Sequence, residues 1–91
     1  MKIVATPRFS RSVKKLHPGE KAALDEAVRA IMENPQVGEM KKADLVGVRV
    51  HKYRVGTHLV LLAYRVAEEG EAIKLLALGS HENFYRDLKR E

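Results

Sequence analysis

Leu59-Val60-Leu61-Leu62-Ala63-Tyr64, residues 59–64, is nearly all apolar, the pattern of a strand covered on both faces and therefore central in its sheet. Two more strand-like segments flank it, Val46–Val55 before and Ala72–Leu78 after. Gly56-Thr57 marks the first turn and Glu68-Glu69-Gly70-Glu71 the second, both short enough for antiparallel hairpins. Upstream, Lys2-Ile3-Val4-Ala5 is a short strand candidate, and Thr6-Pro7 makes a helix start with threonine as cap and proline at the first helical position. Phe9, Val13 and Leu16 give that first helix an apolar face, which His17-Pro18-Gly19 breaks. Glu20–Glu33 carries a second apolar stripe, Leu24, Ala27, Val28 and Ile31, and Asn34-Pro35 ends it. The expected fold is α+β: a small, mostly antiparallel sheet with an N-terminal helical hairpin on one face and a short C-terminal helix over Glu82–Arg90. The segment Gln36–Ala43 reads as a loop, mobile or in contact with a partner.

Ninety-one residues make one small domain, 1–91, able to hold one modest core without metal or disulfide staples. No apolar run approaches the ~20 residues that span a bilayer, and the N-terminus lacks the long apolar region of a signal peptide, so the expected compartment is the cytoplasm, with no membrane partner. The absence of cysteine excludes disulfides, thiolate catalysis and zinc-ribbon sites. Net charge is +5, and its distribution says more than its size. Residues 41–66 hold Lys41, Lys42, Arg49, Lys52, Arg54 and Arg65 against the single acid Asp44, whereas the remaining 11 basic and 11 acidic residues balance. A cationic excess confined to one hairpin region is the footprint of a polyanion binder, nucleic acid being the commonest. A solvated basic face kept for solubility is the alternative.

Chemistry-bearing residues cluster in the same half of the chain. The period of two puts Lys52 and Arg54 on one face of their strand and Arg49, His51 and Tyr53 on the other. His81 follows the last strand, and Tyr85 follows four residues later; imidazole and phenol both move protons. The four histidines show no metal-ligand spacing such as His-Glu-x-x-His, so neither a metal nor a small-molecule cofactor is expected. No glycine-rich phosphate loop and no activated serine are visible, which argues against nucleotide hydrolysis and acyl transfer.

A terminal strand running into Gly79-Ser80-His81-Glu82-Asn83-Phe84-Tyr85 resembles the end of toxins of the RelE/ParE superfamily, which usually show Gly-His-Arg-Arg-x-x-Tyr there. His81 matches the family's arginine and Tyr85 its tyrosine. Lys52-Tyr53-Arg54-Val55-Gly56 resembles the family's Arg-x-Arg-Val-Gly strand, whose basic residues hold RNA phosphates. Element order and length also match over nearly the whole chain. The resemblance implies a type II toxin of the RelE-like kind: a metal-independent endoribonuclease that cleaves messenger RNA on the ribosome and is held inactive by an acidic antitoxin over its basic face. By carry-over Lys52 and Arg54 hold the phosphate, and with His81 and Tyr85 at the strand end they are the candidate catalytic residues; Arg49, His51, His58, Lys41 and Lys42 from the basic region, and Phe84 as a stacking ring, are the further candidate RNA contacts. The chain departs from the family after the hairpin turn, where Thr57-His58-Leu59-Val60 offers His58 in place of a further arginine. That departure leaves open a histidine-based site, a ParE-like inhibitor of DNA gyrase, or a nucleic-acid-binding module without catalysis.

Overall fold

The computed structural model describes residues 2–41, 47–80 and 84. β1 (Lys2–Ala5) leads into α1 (Pro7–Lys14) and α2 (Pro18–Glu33). β2 (Glu39–Met40), β3 (Arg49–Val55), β4 (His58–Ala67), a 3-10 turn at Glu68–Gly70 and β5 (Ala72–Gly79) follow. The strands form one sheet in the order β1-β5-β4-β3-β2. β1 runs parallel to β5 and every other pairing is antiparallel. The expected α+β class and helical hairpin are present; the C-terminal helix expected over Glu82–Arg90 lies outside the described residues except at Phe84, which is helical.

Local chemistry sets the helix boundaries. The Thr6 hydroxyl accepts from the Phe9 N–H at 3.1 Å and donates to the Leu76 carbonyl at 3.1 Å, so one side chain caps α1 and fastens its start to β5. α2 begins at Pro18, two residues before the expected Glu20. His17 is its extended N-cap, Pro18 occupies the first turn, and Glu20 Oε1 accepts the His17 N–H at 3.1 Å. α1 stops at Lys14 with Lys15 as its C-cap, so the tripeptide expected to end the first helix instead starts the second.

β4 holds the centre, and Leu61, Leu62, Ala63 and Tyr64 are all 0% exposed. Leu62 and Tyr64 join Ile73, Leu75, Phe9, Leu24, Ala27 and Ile31 in a cluster beneath the helices. Leu61 and Ala63 join Val48, Val50, Leu76, Ala77 and Phe84 in a second cluster on the other face. An irregularity between Ala63 and Tyr64 leaves Leu76 as an extra residue on β5, which lets both Leu76 and Ala77 reach the second cluster.

β2 is the strand that the sequence pattern does not reveal; it lies inside the expected loop Gln36–Ala43. Long-range contacts hold the approach to it. The Tyr64 hydroxyl donates to the Pro35 carbonyl at 2.7 Å and accepts from the Gly38 N–H at 2.9 Å. Gly38 fits because it has no side chain: a Cβ there would stand 2.8 Å from the Tyr64 ring and hydroxyl. Tyr64→Phe strands a buried N–H and a carbonyl without closing the gap, so it should lower unfolding free energy by about 1–3 kcal/mol in a urea titration, with the slope unchanged.

Candidate functional site

The alternation of β3 settles which cations share a surface. Val50 is buried in the second cluster, so Lys52 and Arg54 lie on that same face, opposite the helices, and both are exposed. Lys52 pairs with Leu61, and Leu61 pairs with Gly79 at the end of β5. The β5 exit thus lies in register with Lys52 across one intervening strand, about 10 Å away at the usual strand spacing. Ser80 is exposed just beyond it, and its carbonyl accepts the Phe84 N–H at 3.2 Å. The β3–β4 hairpin projects past this exit through a tight turn in which Gly56 takes φ +61°.

The other expected contacts divide. His81, Tyr85 and Lys42 lie outside the described residues. Phe84, expected as a stacking face for RNA, is 3% exposed and packed in the second cluster, so it anchors the chain to the sheet instead. Arg49 lies on the helix side, where its guanidinium donates to the Gly38 carbonyl at 2.8 Å and the Gln36 carbonyl at 3.3 Å. Its role is to hold the approach to β2, together with Tyr64. His51 is also on that side, stacked on Tyr53 with ring centroids 6.4 Å apart, and burial lowers its pKa. Lys41 sits at the far end of β3, where its N–H donates to the Val48 carbonyl and its ammonium pairs with Glu39 at 3.4 Å. His58 is exposed at the hairpin end, beside a shallow surface lined by His17, Glu20 and Val55. Lys52 and Arg54 are therefore the expected cations that the described fold places beside the β5 exit. Among the described residues no group of His, Asp or Glu could hold a metal ion.

Two concavities were not legible in the sequence, because each is lined by residues distant in the chain. A groove of about 750 Å³ runs between α1, α2 and β1, walled by Ile3, Phe9, Val13, Leu24, Val28 and Met32. A smaller cavity of about 250 Å³ lies where the α1–α2 turn meets the ends of β3, β4 and β5, and Glu20, Tyr53 and Ser80 contribute to its lining. Burial, and then the Glu20 carboxylate, push the Tyr53 phenol up to about 12. With its folded value above the ordinary ~10, this phenol contributes stability that is complete below pH ~10 and lost as pH rises toward about 12. Ultraviolet titration should show late-ionising tyrosines, one of which Glu20→Gln brings down toward the ordinary range and Tyr53→Phe removes, the buried Tyr64 phenol being another that burial raises.

Comparison with known proteins places this geometry. The model of the ParE-like toxins of type II bacterial toxin–antitoxin systems matches residues 3–89. Among solved structures, the chain is similar to the Escherichia coli RelBE toxin–antitoxin complex at 18% identity, covering 89% of this chain and 96% of that one with a TM-score of 0.74. It is similar to a YoeB/ParE toxin from Agrobacterium tumefaciens at 19% identity, covering 89% and 99% with a TM-score of 0.73. It is also similar to the toxin–antitoxin complex RelBE2 from Mycobacterium tuberculosis at 26% identity, covering 88% and 96% with a TM-score of 0.69. A sequence search of curated proteins finds no match. With a mixed five-stranded sheet under a helical hairpin and a family match across almost its whole length, the chain belongs to the ParE-like toxins of type II bacterial toxin–antitoxin systems.

Proposed function

We propose that this toxin is an endoribonuclease that cuts messenger RNA on the ribosome. The observation that carries the reading is the alignment of exposed Lys52 and Arg54 with the β5 exit, because His81 follows Ser80 directly in the chain. In the proposed reaction the ribose 2′-oxygen attacks the adjacent phosphorus and the bond to the 5′-oxygen breaks, leaving a 2′,3′-cyclic phosphate and a 5′-hydroxyl. His81 moves the proton, acting as base toward the 2′-hydroxyl or acid toward the 5′-oxygen, a role worth about 10²–10⁴-fold. Lys52 and Arg54 stabilise the charge that grows on the phosphorane, and Tyr85 hydrogen-bonds or stacks at the same site. A small enzyme with few catalytic groups gains from a ribosome that orients the substrate for it. The chemistry requires no metal.

The antitoxin reading rests on a different surface. α1 presents Arg8, Arg11 and Lys14 with no acid in the helix, beside the apolar groove. Ile3 and Met32, exposed on β1 and α2, line it. An acidic amphipathic segment fits both features, its apolar side in the groove and its carboxylates toward α1.

Three outcomes test these statements. With programmed ribosomes, Lys52→Ala and Arg54→Ala should each slow message cleavage by about 10²-fold without lowering the melting temperature, whereas intact messages together with blocked gyrase supercoiling would establish the gyrase reading instead. Any cleavage of free RNA should persist in EDTA; dependence on added magnesium would overturn the proposed chemistry. Met32→Glu should weaken capture of the cognate antitoxin about tenfold or more while leaving toxicity intact, and unchanged capture would move the antitoxin off the groove.

A further inference from the structure

We propose that Thr6, at the junction of β1 and α1, is a positioning residue for the cleavage site: by holding two successive carbonyls of β5 it fixes the face of the sheet to which the β5 exit belongs. The inference rests on the ribonuclease reading above and concerns a residue outside the reacting groups. From Ala67 with Ala72 to Tyr64 with Leu75 the pairing of β4 and β5 is regular, and it resumes at Ala63 with Ala77 after one extra residue, Leu76. Because of that residue Gly79 pairs with Leu61, on the face that bears Lys52 and Arg54. Uninterrupted pairing would set Leu61 opposite Leu78 and Gly79 opposite Val60, on the helix side. The chain leaves β5 at Gly79 on its way to Ser80 and His81, so the extra residue decides the face from which it leaves.

Side-chain pattern does not enforce this choice. Leu75-Leu76-Ala77-Leu78 is apolar at every position, so in a sheet covered on both faces either alternate set can be buried. Hydrogen bonding makes the choice instead. Successive carbonyls of a regular strand point to opposite neighbours. Here the Leu75 carbonyl accepts the Thr6 N–H at 3.1 Å and the Leu76 carbonyl accepts the Thr6 hydroxyl at 3.1 Å, both on the β1 side. The hydroxyl thus supplies the donor for a carbonyl that the irregularity turns out of the β4 ladder. Its oxygen also accepts the Phe9 N–H, which leaves its single proton for Leu76. A carboxylate at this position could cap α1 equally well, but it has no proton to give.

Message cleavage on programmed ribosomes, resolved into kcat and KM, tests the role with three substitutions. Thr6→Asp keeps a cap for α1 and loses the donor: the melting temperature should stay within a few degrees of wild type, while kcat falls about tenfold or more and KM stays within about twofold. Thr6→Val removes cap and donor together and should show the same loss of kcat with a lower melting temperature. Thr6→Ser keeps both and should restore kcat. The cross-strand NMR contact between Leu61 and Gly79 reports the phase of β5 without any activity, and it should weaken in Thr6→Asp and Thr6→Val. Full kcat in Thr6→Asp, an undisturbed Leu61 to Gly79 contact in that variant, or a Thr6→Ser as slow as Thr6→Val overturns the positioning role and leaves the ribonuclease reading standing. A wild type that cuts no message overturns the ribonuclease reading and the role in cleavage with it, whereas loss of the NMR contact in Thr6→Asp would still establish Thr6 as the residue that sets the phase of β5.

Discussion

Everything in this molecule depends on burying β4 from both sides. Leu61, Leu62, Ala63 and Tyr64 have no exposed surface, so each face of the sheet must be covered by something. The helical hairpin covers one. The other is closed over Val48, Val50 and Leu61 by the Phe84 ring, whose backbone N–H donates to the Ser80 carbonyl. Removing an aromatic of this kind from a well-packed cluster typically costs about 3–5 kcal/mol, a large share of a small domain's stability. The same packing ties the chain beyond β5 to the face that displays Lys52 and Arg54. Core formation and site assembly are thus one event, and the catalytic proposal inherits its geometry from an apolar contact.

The two faces also separate two kinds of chemistry. On the helix side, polar groups are consumed by the fold: Arg49 and Tyr64 hold the backbone of residues 35–38, and Thr6 fastens α1 to β5. On the opposite side, Lys52 and Arg54 are exposed on a strand anchored by Val50. Exposed cations on a rigid strand can meet a phosphate with little reorganisation, which is the condition under which charge stabilises a transition state efficiently.

Much of this architecture was legible from residue patterns. The apolar run 59–64 is a two-sided strand because no residue in it tolerates water well, and the alternation of β3 correctly paired Lys52 with Arg54 and Arg49 with His51 and Tyr53. What alternation cannot say is which face the helices cover. That choice decides between a ligand contact and a structural clamp for Arg49, and it is made by tertiary packing. β2 was missed because a two-residue strand has no period; it lies just beyond a loop held by Tyr64, a residue 26 positions from Gly38. The start of α2 shifted because His17-Pro18-Gly19 looks like a breaker when read forward and like a cap when read from Glu20 backward. Phe84 read equally well as a base-stacking ring and as an anchor, and burial is what distinguishes the two.

The central claim is that the toxin acts by cutting translated messages through a proton transfer at His81. Inducible expression in bacteria, with transcript 5′ ends mapped for wild type and His81→Ala, tests it most directly. The account predicts new cuts inside translated reading frames that vanish in the variant while its fold is retained. Growth arrest with intact transcripts, or cuts that persist undiminished in His81→Ala, would contradict it.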